Sequence, residues 1–196
     1  MLALSGSGSI GAGGLDLGTN GIFDLAALES GTATLPATGN LSGAGTLTGN
    51  GKTLAVLGSL LPGNSAGTIT LGSGLTLDLS SSVTSVFQIT SPLYTAGSFD
   101  LVNGTGSVAF GGVLQLDFSG GAYAAGTDVL RIFANTGGRF GDFSSVVFTG
   151  LGDGQSATFN AVTGFVSVVP EPTTSCMALA GIACGGFSMW RRRKRA

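Results

Sequence analysis

The chain has no histidine, and its only two cysteines, Cys176 and Cys184, lie close to its C-terminus. Without histidine there is neither the commonest general base nor the commonest transition-metal ligand. Nor can any of the many serines join a Ser-His-Asp arrangement. Positive charge is almost as scarce. Residues 1–190 carry only Lys52, Arg131 and Arg139. Residues 1–172 hold three basic and ten acidic side chains, a formal charge of −7 that the net −2 of the whole chain conceals. Such a body cannot neutralise phosphates, so nucleic acid is not an expected partner. Strong polar helix formers are also few. Lys, Glu, Gln and Arg number seven in residues 1–169, too few to build solvated helix faces.

The missing groups leave little room for chemistry. The acids are spread along the chain, and Lys52, Arg131 and Arg139 are isolated from them, so no catalytic residue, cofactor site or metal site is expected. Asp142 and Asp153 stand in glycine-rich turns, but the tandem Gly-Gly-x-Gly-x-Asp pattern of a calcium-binding roll is absent. Gly152-Asp153-Gly154 reads as a plain turn. Gly11-Ala12-Gly13-Gly14 follows no clear strand and opens no helix, so it is not a phosphate loop.

What remains is a β pattern. Glycine supplies 36 of 196 residues, and Ser, Thr, Asn and Asp fill most of the space between short apolar runs. Leu75-Thr76-Leu77-Asp78-Leu79 sets three leucines on one face and polar residues on the other. Leu114-Gln115-Leu116-Asp117-Phe118 and Leu130-Arg131-Ile132 repeat that alternation, which marks half-buried strands. Asn20-Gly21, Asn50-Gly51, Asn103-Gly104 and Gly120-Gly121 are turn signals between them. Gly45-Thr46-Leu47-Thr48 matches Gly67-Thr68-Ile69-Thr70 further along the chain, at a spacing that suits coils of a parallel β-solenoid. A single match leaves solenoid and sandwich both open.

The C-terminal tail is of another kind. Pro170-Glu171-Pro172 is followed by the uncharged span Thr173–Trp190, and then by Arg191, Arg192, Arg193, Lys194 and Arg195. As a helix the span covers about 27 Å at ~1.5 Å per residue, the short end of the roughly 17–25 residues that cross a bilayer. Cations just after such a span stay on the cytoplasmic side, and Trp190 suits the interface. Cys176 and Cys184 are two turns apart on that helix, too far to bond to each other. The start, Met1-Leu2-Ala3-Leu4 followed by Ser-Gly repeats, has neither the basic n-region nor the apolar core of a secretory leader. A protein with this tail needs one, so the chain is expected to be the C-terminal piece of a longer protein, or its start to be assigned too late.

The tail resembles the PEP-CTERM sorting signal of bacterial surface and exopolysaccharide-associated proteins, through Pro170-Glu171-Pro172, the apolar span and the basic cluster at 191–195. That resemblance implies recognition by an exosortase and removal of the tail near the Pro-Glu-Pro. An ordinary membrane anchor is the alternative. Residues 39–71, above all Leu61-Pro62-Gly63-Asn64-Ser65-Ala66-Gly67-Thr68, look like autotransporter-associated β-strand repeats, with Leu61 and Ala66 where Ser and Pro are usual. Residues 99–169 are similar to the segment that follows such repeats in PEP-CTERM proteins. The matching residues include Phe99-Asp100-Leu101-Val102-Asn103-Gly104 and Phe140-Gly141-Asp142-Phe143. These resemblances imply an all-β, right-handed parallel β-solenoid over 1–92. A β-sandwich-like or terminal solenoid section follows over 93–169, then the sorting tail with one transmembrane helix over 170–196. The expected protein is a non-enzymatic component of the cell surface or exopolysaccharide matrix, held briefly in the cytoplasmic membrane with its C-terminus inside. Exosortase, the membrane and extracellular polysaccharide are its expected partners. A carbohydrate-binding module is the alternative, with Tyr94, Tyr123, Phe133 and Phe165 as its candidate exposed aromatics. A degenerate glycan-active β-helix is the third reading.

Overall fold

A computed structural model describes residues 1–63, 66–80, 84–119 and 122–170 of the chain. Every regular element among them is a strand. In chain order these are β1 (Leu2–Ala3), β2 (Leu15–Asp24), β3 (Thr32–Leu35), β4 (Asn40–Thr48), β5 (Thr53–Val56), β6 (Ser59–Pro62), β7 (Thr68–Leu71), β8 (Thr76–Asp78) and β9 (Thr84–Ile89). There follow β10 (Leu101–Gly104), β11 (Ser107–Phe110), β12 (Val113–Phe118), β13 (Gly126–Arg131), β14 (Arg139–Gly141), β15 (Ser145–Thr149), β16 (Gln155–Asn160) and β17 (Phe165–Pro170).

The strands from β1 to β12, with β14 and β15, pair in parallel and form three columns. One column runs from the start of β2 through the first half of β4 to β6, β9, β12 and β15. A second runs from β1 through the end of β2 and the second half of β4 to β7 and β10. The third is β3, β5, β8, β11 and β14. The chain visits the columns in turn and comes back one strand spacing further on, an arrangement consistent with a parallel β-helix. The ladders run across residue 92, since β9 pairs with β12, β7 with β10 and β8 with β11.

Alternation explains why these segments stack. In the first column the inward residues are Leu15, Leu41, Leu60, Ser85, Leu114 and Val146, each aligned on the next. In the third they are Ala33, Leu54, Leu77 and Val108. Leu41, Leu54, Leu60, Leu77 and Leu114 are completely buried. The corner between the third and first columns is closed by backbone. A Cβ on Gly58 would stand 1.6 Å from the Gly39 carbonyl oxygen, so only glycine lets one coil sit this close to the next.

The repeat register differs from the sequence spacing. The Gly-Thr-x-Thr match would set Thr46 on Thr68, but Thr46 aligns with Thr70 and Leu47 with Leu71. The coil is therefore two positions longer in this column than the match suggests. Because side chains alternate with a period of two, the slip leaves every apolar residue facing inward.

The far end is built differently. β13, β17 and β16 form an antiparallel sheet with β17 in the middle. Phe133, just after β13, still stacks on Val102 of β10. Beneath this sheet the core changes from leucine to phenylalanine. The ring of Phe133 lies 4.8 Å from Phe110 and 5.0 Å from Phe87. Phe143 lies 4.9 Å from Phe110 and 5.7 Å from Phe159.

The expected transmembrane helix at 173–190 lies outside the described residues, as do Gly120-Gly121 and most of the tail. Among the described residues no helix is long and apolar enough to cross a membrane. Asn50-Gly51 and Gly152-Asp153-Gly154 do form turns. Asn20-Gly21 instead falls inside β2, where it bends the strand without ending it, while Asn103-Gly104 forms the last two residues of β10.

Candidate functional site

The tail leaves the body at an exposed point. Pro170 is the last residue of β17, aligned with Gln155 of β16, and it and Val169 face solvent. Glu171, Pro172, Arg191, Arg192, Arg193, Lys194 and Arg195 lie outside the described residues. Of the Pro-Glu-Pro and the basic cluster, therefore, only Pro170 is placed.

The three cations of the body all act on backbone. Lys52 Nζ donates to the Leu28 carbonyl at 2.6 Å, bridging one coil to the one before it. Arg131 Nε donates to Thr163 O at 3.1 Å, and Arg139 Nε to Val162 O at 2.9 Å. Arg139 Nη1 also donates to Asn135 O at 2.5 Å. Both arginines thus tie the β16–β17 turn to the last coil. Burial, and to a lesser degree Arg131 nearby, lower the pKa of Arg139. Among the described residues no three His, Cys, Asp or Glu side chains converge as metal ligands.

The four aromatics singled out from the sequence do not make an exposed platform. Phe133 and Tyr123 are core residues, 0% and 3% exposed. The Tyr123 hydroxyl donates to Ile89 O at 2.8 Å. Tyr94 is half-buried against Tyr123, with ring centroids 5.8 Å apart, and its hydroxyl donates to Ala124 O. Phe165 is half-buried under the Arg131 guanidinium, 5.3 Å from its ring. The reasons differ: Phe133 joins the phenylalanine cluster that closes the coil stack, while Tyr123 packs between Phe118 and Tyr94. Phe140, which the sequence does not single out, is the aromatic left exposed among the described residues, at 58%. It sits on the short strand β14, where alternation has no room to show.

One carboxylate is enclosed. Asp100 is 2% exposed. Its Oδ1 accepts the Gly67 N–H at 2.7 Å and its Oδ2 accepts the Gln88 N–H at 2.8 Å. Burial raises its pKa to about 6, against the lowering effect of those two hydrogen bonds. The side chain clips the start of β7 to the end of β9 and makes no contact that would present it to a ligand.

The second column carries a groove of about 340 Å³ on its outer face. Thr46 of β4 and Thr70 of β7 are aligned neighbours along it. Ala44 forms a low floor beside them, aligned with Thr19. The wall on the β2 side is irregular. The β2–β4 register shifts on both sides of Thr19, and Asn20 has φ 64°. The opposite wall begins at Ala66, with φ 50°, and continues through Thr68. Both are left-handed conformations that an L side chain seldom adopts. No hydrogen bond among the described residues engages the side chains of Thr19, Asn20, Thr46, Thr68 or Thr70. In the next coil Asn103 aligns with Thr70, and its Oδ1 is buried without a partner among the described residues. Sequence alone shows the threonines, but not the bulge that turns a flat face into a groove.

The chain finds no match among known protein families, curated proteins or solved structures.

Proposed function

We propose that this chain is a non-enzymatic protein of a bacterial cell surface or exopolysaccharide matrix, with a right-handed parallel β-helix as its body. Its C-terminal tail is a sorting signal processed by an exosortase. The observation that carries this reading is the join between body and tail. The last strand ends at exposed Pro170, and the sequence continues directly into Glu171-Pro172, the uncharged span and five consecutive cations. Pro172 holds Glu171 extended and can open a helix but not lie inside one, so the Pro-Glu-Pro is an extended linker between strand and span. In this reading it holds a scissile site outside the bilayer, while Arg191–Arg195 keep the C-terminus in the cytoplasm. The body is the cargo. The described charged groups support that role, because Lys52, Arg131 and Arg139 each bind backbone and no three described acids converge.

The test is mass spectrometry of the full chain, exported behind an added secretion leader in a bacterium that has an exosortase. The mature protein is expected to lose roughly 25 residues, the length from the Pro-Glu-Pro to the end. Changing Pro170 and Pro172 to Ala together with Glu171→Gln is expected to leave full-length protein in the membrane. Finding Trp190 and the arginines in mature surface material would make the tail a permanent anchor and overturn the sorting reading.

A further inference from the structure

We infer that the groove over β2, β4 and β7 is a binding site for an uncharged polyhydroxylated chain, that is, a neutral polysaccharide segment. The inference rests on the matrix reading above and deepens it by naming the ligand class.

The lining sets the chemistry. The threonine hydroxyls of Thr19, Thr46, Thr68 and Thr70 each offer one donor and two acceptor positions, and the Asn20 amide offers both kinds. None is engaged by another described residue, so all face solvent ready to exchange water for ligand hydroxyls. A sugar chain presents that same mixture of donors and acceptors. Strand spacing repeats every ~4.7–4.9 Å across the face, so the aligned Thr46 and Thr70 offer equivalent groups to successive parts of one extended chain.

Charge decides against acidic polymers. Among the described residues no cation borders the groove. Lys52 donates to carbonyls of Leu28 and Ser30 in a different part of the coil. The charged side chains of β2 are the acids Asp16 and Asp24, and Asp100 accepts the N–H of groove-lining Gly67, so nothing here attracts a polyuronate. Asp24 accepts from Thr48 Oγ1 at 2.8 Å on the same face.

Shape supports a site and not a plain sheet surface. The rest of the face is a regular ladder, yet here β2 shifts register twice and two non-glycine residues hold left-handed backbone. Bulges and such conformations gather where a surface is shaped for a partner. Ala44 between the threonines leaves room that a larger side chain would fill.

The experiment is affinity electrophoresis of the full chain in a polyoxyethylene detergent, through gels holding dextran, mannan or galactan, with alginate as the charged comparison. Retardation by at least one neutral polysaccharide is expected, and little by alginate. The double variant Thr46→Val with Thr70→Val keeps β-branched shape, loses both hydroxyls and is expected to weaken retardation at least fivefold. Thr46→Ser with Thr70→Ser, which keeps the hydroxyls, is expected to retain it. Thr53→Val with Thr76→Val on the third column is expected to leave it unchanged. Melting curves establish that each variant folds. No retardation by any neutral polysaccharide, equal retardation of the valine variant, or stronger retardation by alginate would overturn the proposal. Tail removal is read separately by mass, so failure of the groove and failure of the sorting reading are distinguishable.

Discussion

The leucine-filled coils from β2 to β8 and the aromatic end beneath β13, β16 and β17 solve one problem in two ways. An interior coil is covered above and below by copies of itself. One layer of Leu41, Leu54, Leu60 or Leu77 then suffices, because the neighbours supply the rest of the core. Among the described residues no further coil covers the last one. Phe110, Phe133, Phe143 and Phe159 fill the space there, and an antiparallel sheet replaces the missing coil. The difference teaches that a stack of thin repeats is limited by its ends, as expected for arrays in which each unit touches only its neighbours.

The largest expected effect breaks the thick end. Phe133→Ala removes a fully buried ring in contact with Phe87, Phe110, Phe143 and Phe159. It is expected to lower unfolding stability by about 4 kcal/mol, against about 3 kcal/mol for Leu54→Ala in an interior coil. Urea unfolding followed by circular dichroism measures both. A Leu54→Ala penalty as large as that of Phe133→Ala would mean that the two regions are not limited differently.

A middle-sized effect probes the seam. Asp100 joins Gly67 in the leucine region to Gln88 beside the aromatic region. Its folded pKa of about 6 lies above the ordinary carboxylate value. Below about pH 4 the group is protonated in both states. Between about 4 and 6 the unfolded chain releases the proton first, so stability falls as pH rises and then levels off. The slope is at most about 1.4 kcal/mol per pH unit. Asp100→Asn is expected to remove this contribution, seen as a flatter urea midpoint between pH 4 and 6. An unchanged profile in that variant would assign the slope to other acids.

The smallest effect is a gain. Ser85 interrupts the leucine ladder between Leu60 and Leu114, fully buried, with no partner for its hydroxyl among the described residues. Ser85→Ala is expected to stabilise by about 1 kcal/mol, raising the melting temperature by about 2–4 °C. A fall in melting temperature would show that the hydroxyl is paired.

Period-two alternation is enough to read the strands around Leu75–Leu79, Leu114–Phe118 and Leu130–Ile132 directly, because inside and outside residues differ so sharply in polarity. Coil register is not legible in the same way. The Gly-Thr-x-Thr match points Thr46 at Thr68, while loop length sets it on Thr70 without disturbing the alternation. The aromatics mislead for a related reason. A phenylalanine in a polar, glycine-rich sequence looks exposed until one knows which coil is last. The groove is half legible. Its threonines are plain, but the double register shift at Thr19 depends on how β2 must accommodate Gly18 and Gly21 against β4. The tail motif is read from sequence alone.

The position of β17 has a mechanical consequence. The chain leaves the body from the end of the central strand, paired to β13 on one side and β16 on the other. Ladder hydrogen bonds lie perpendicular to the strands. A pull on the C-terminus along β17 therefore loads both ladders in shear, all bonds together, instead of peeling them one at a time. Drawing β17 out of the body therefore requires both ladders to yield together.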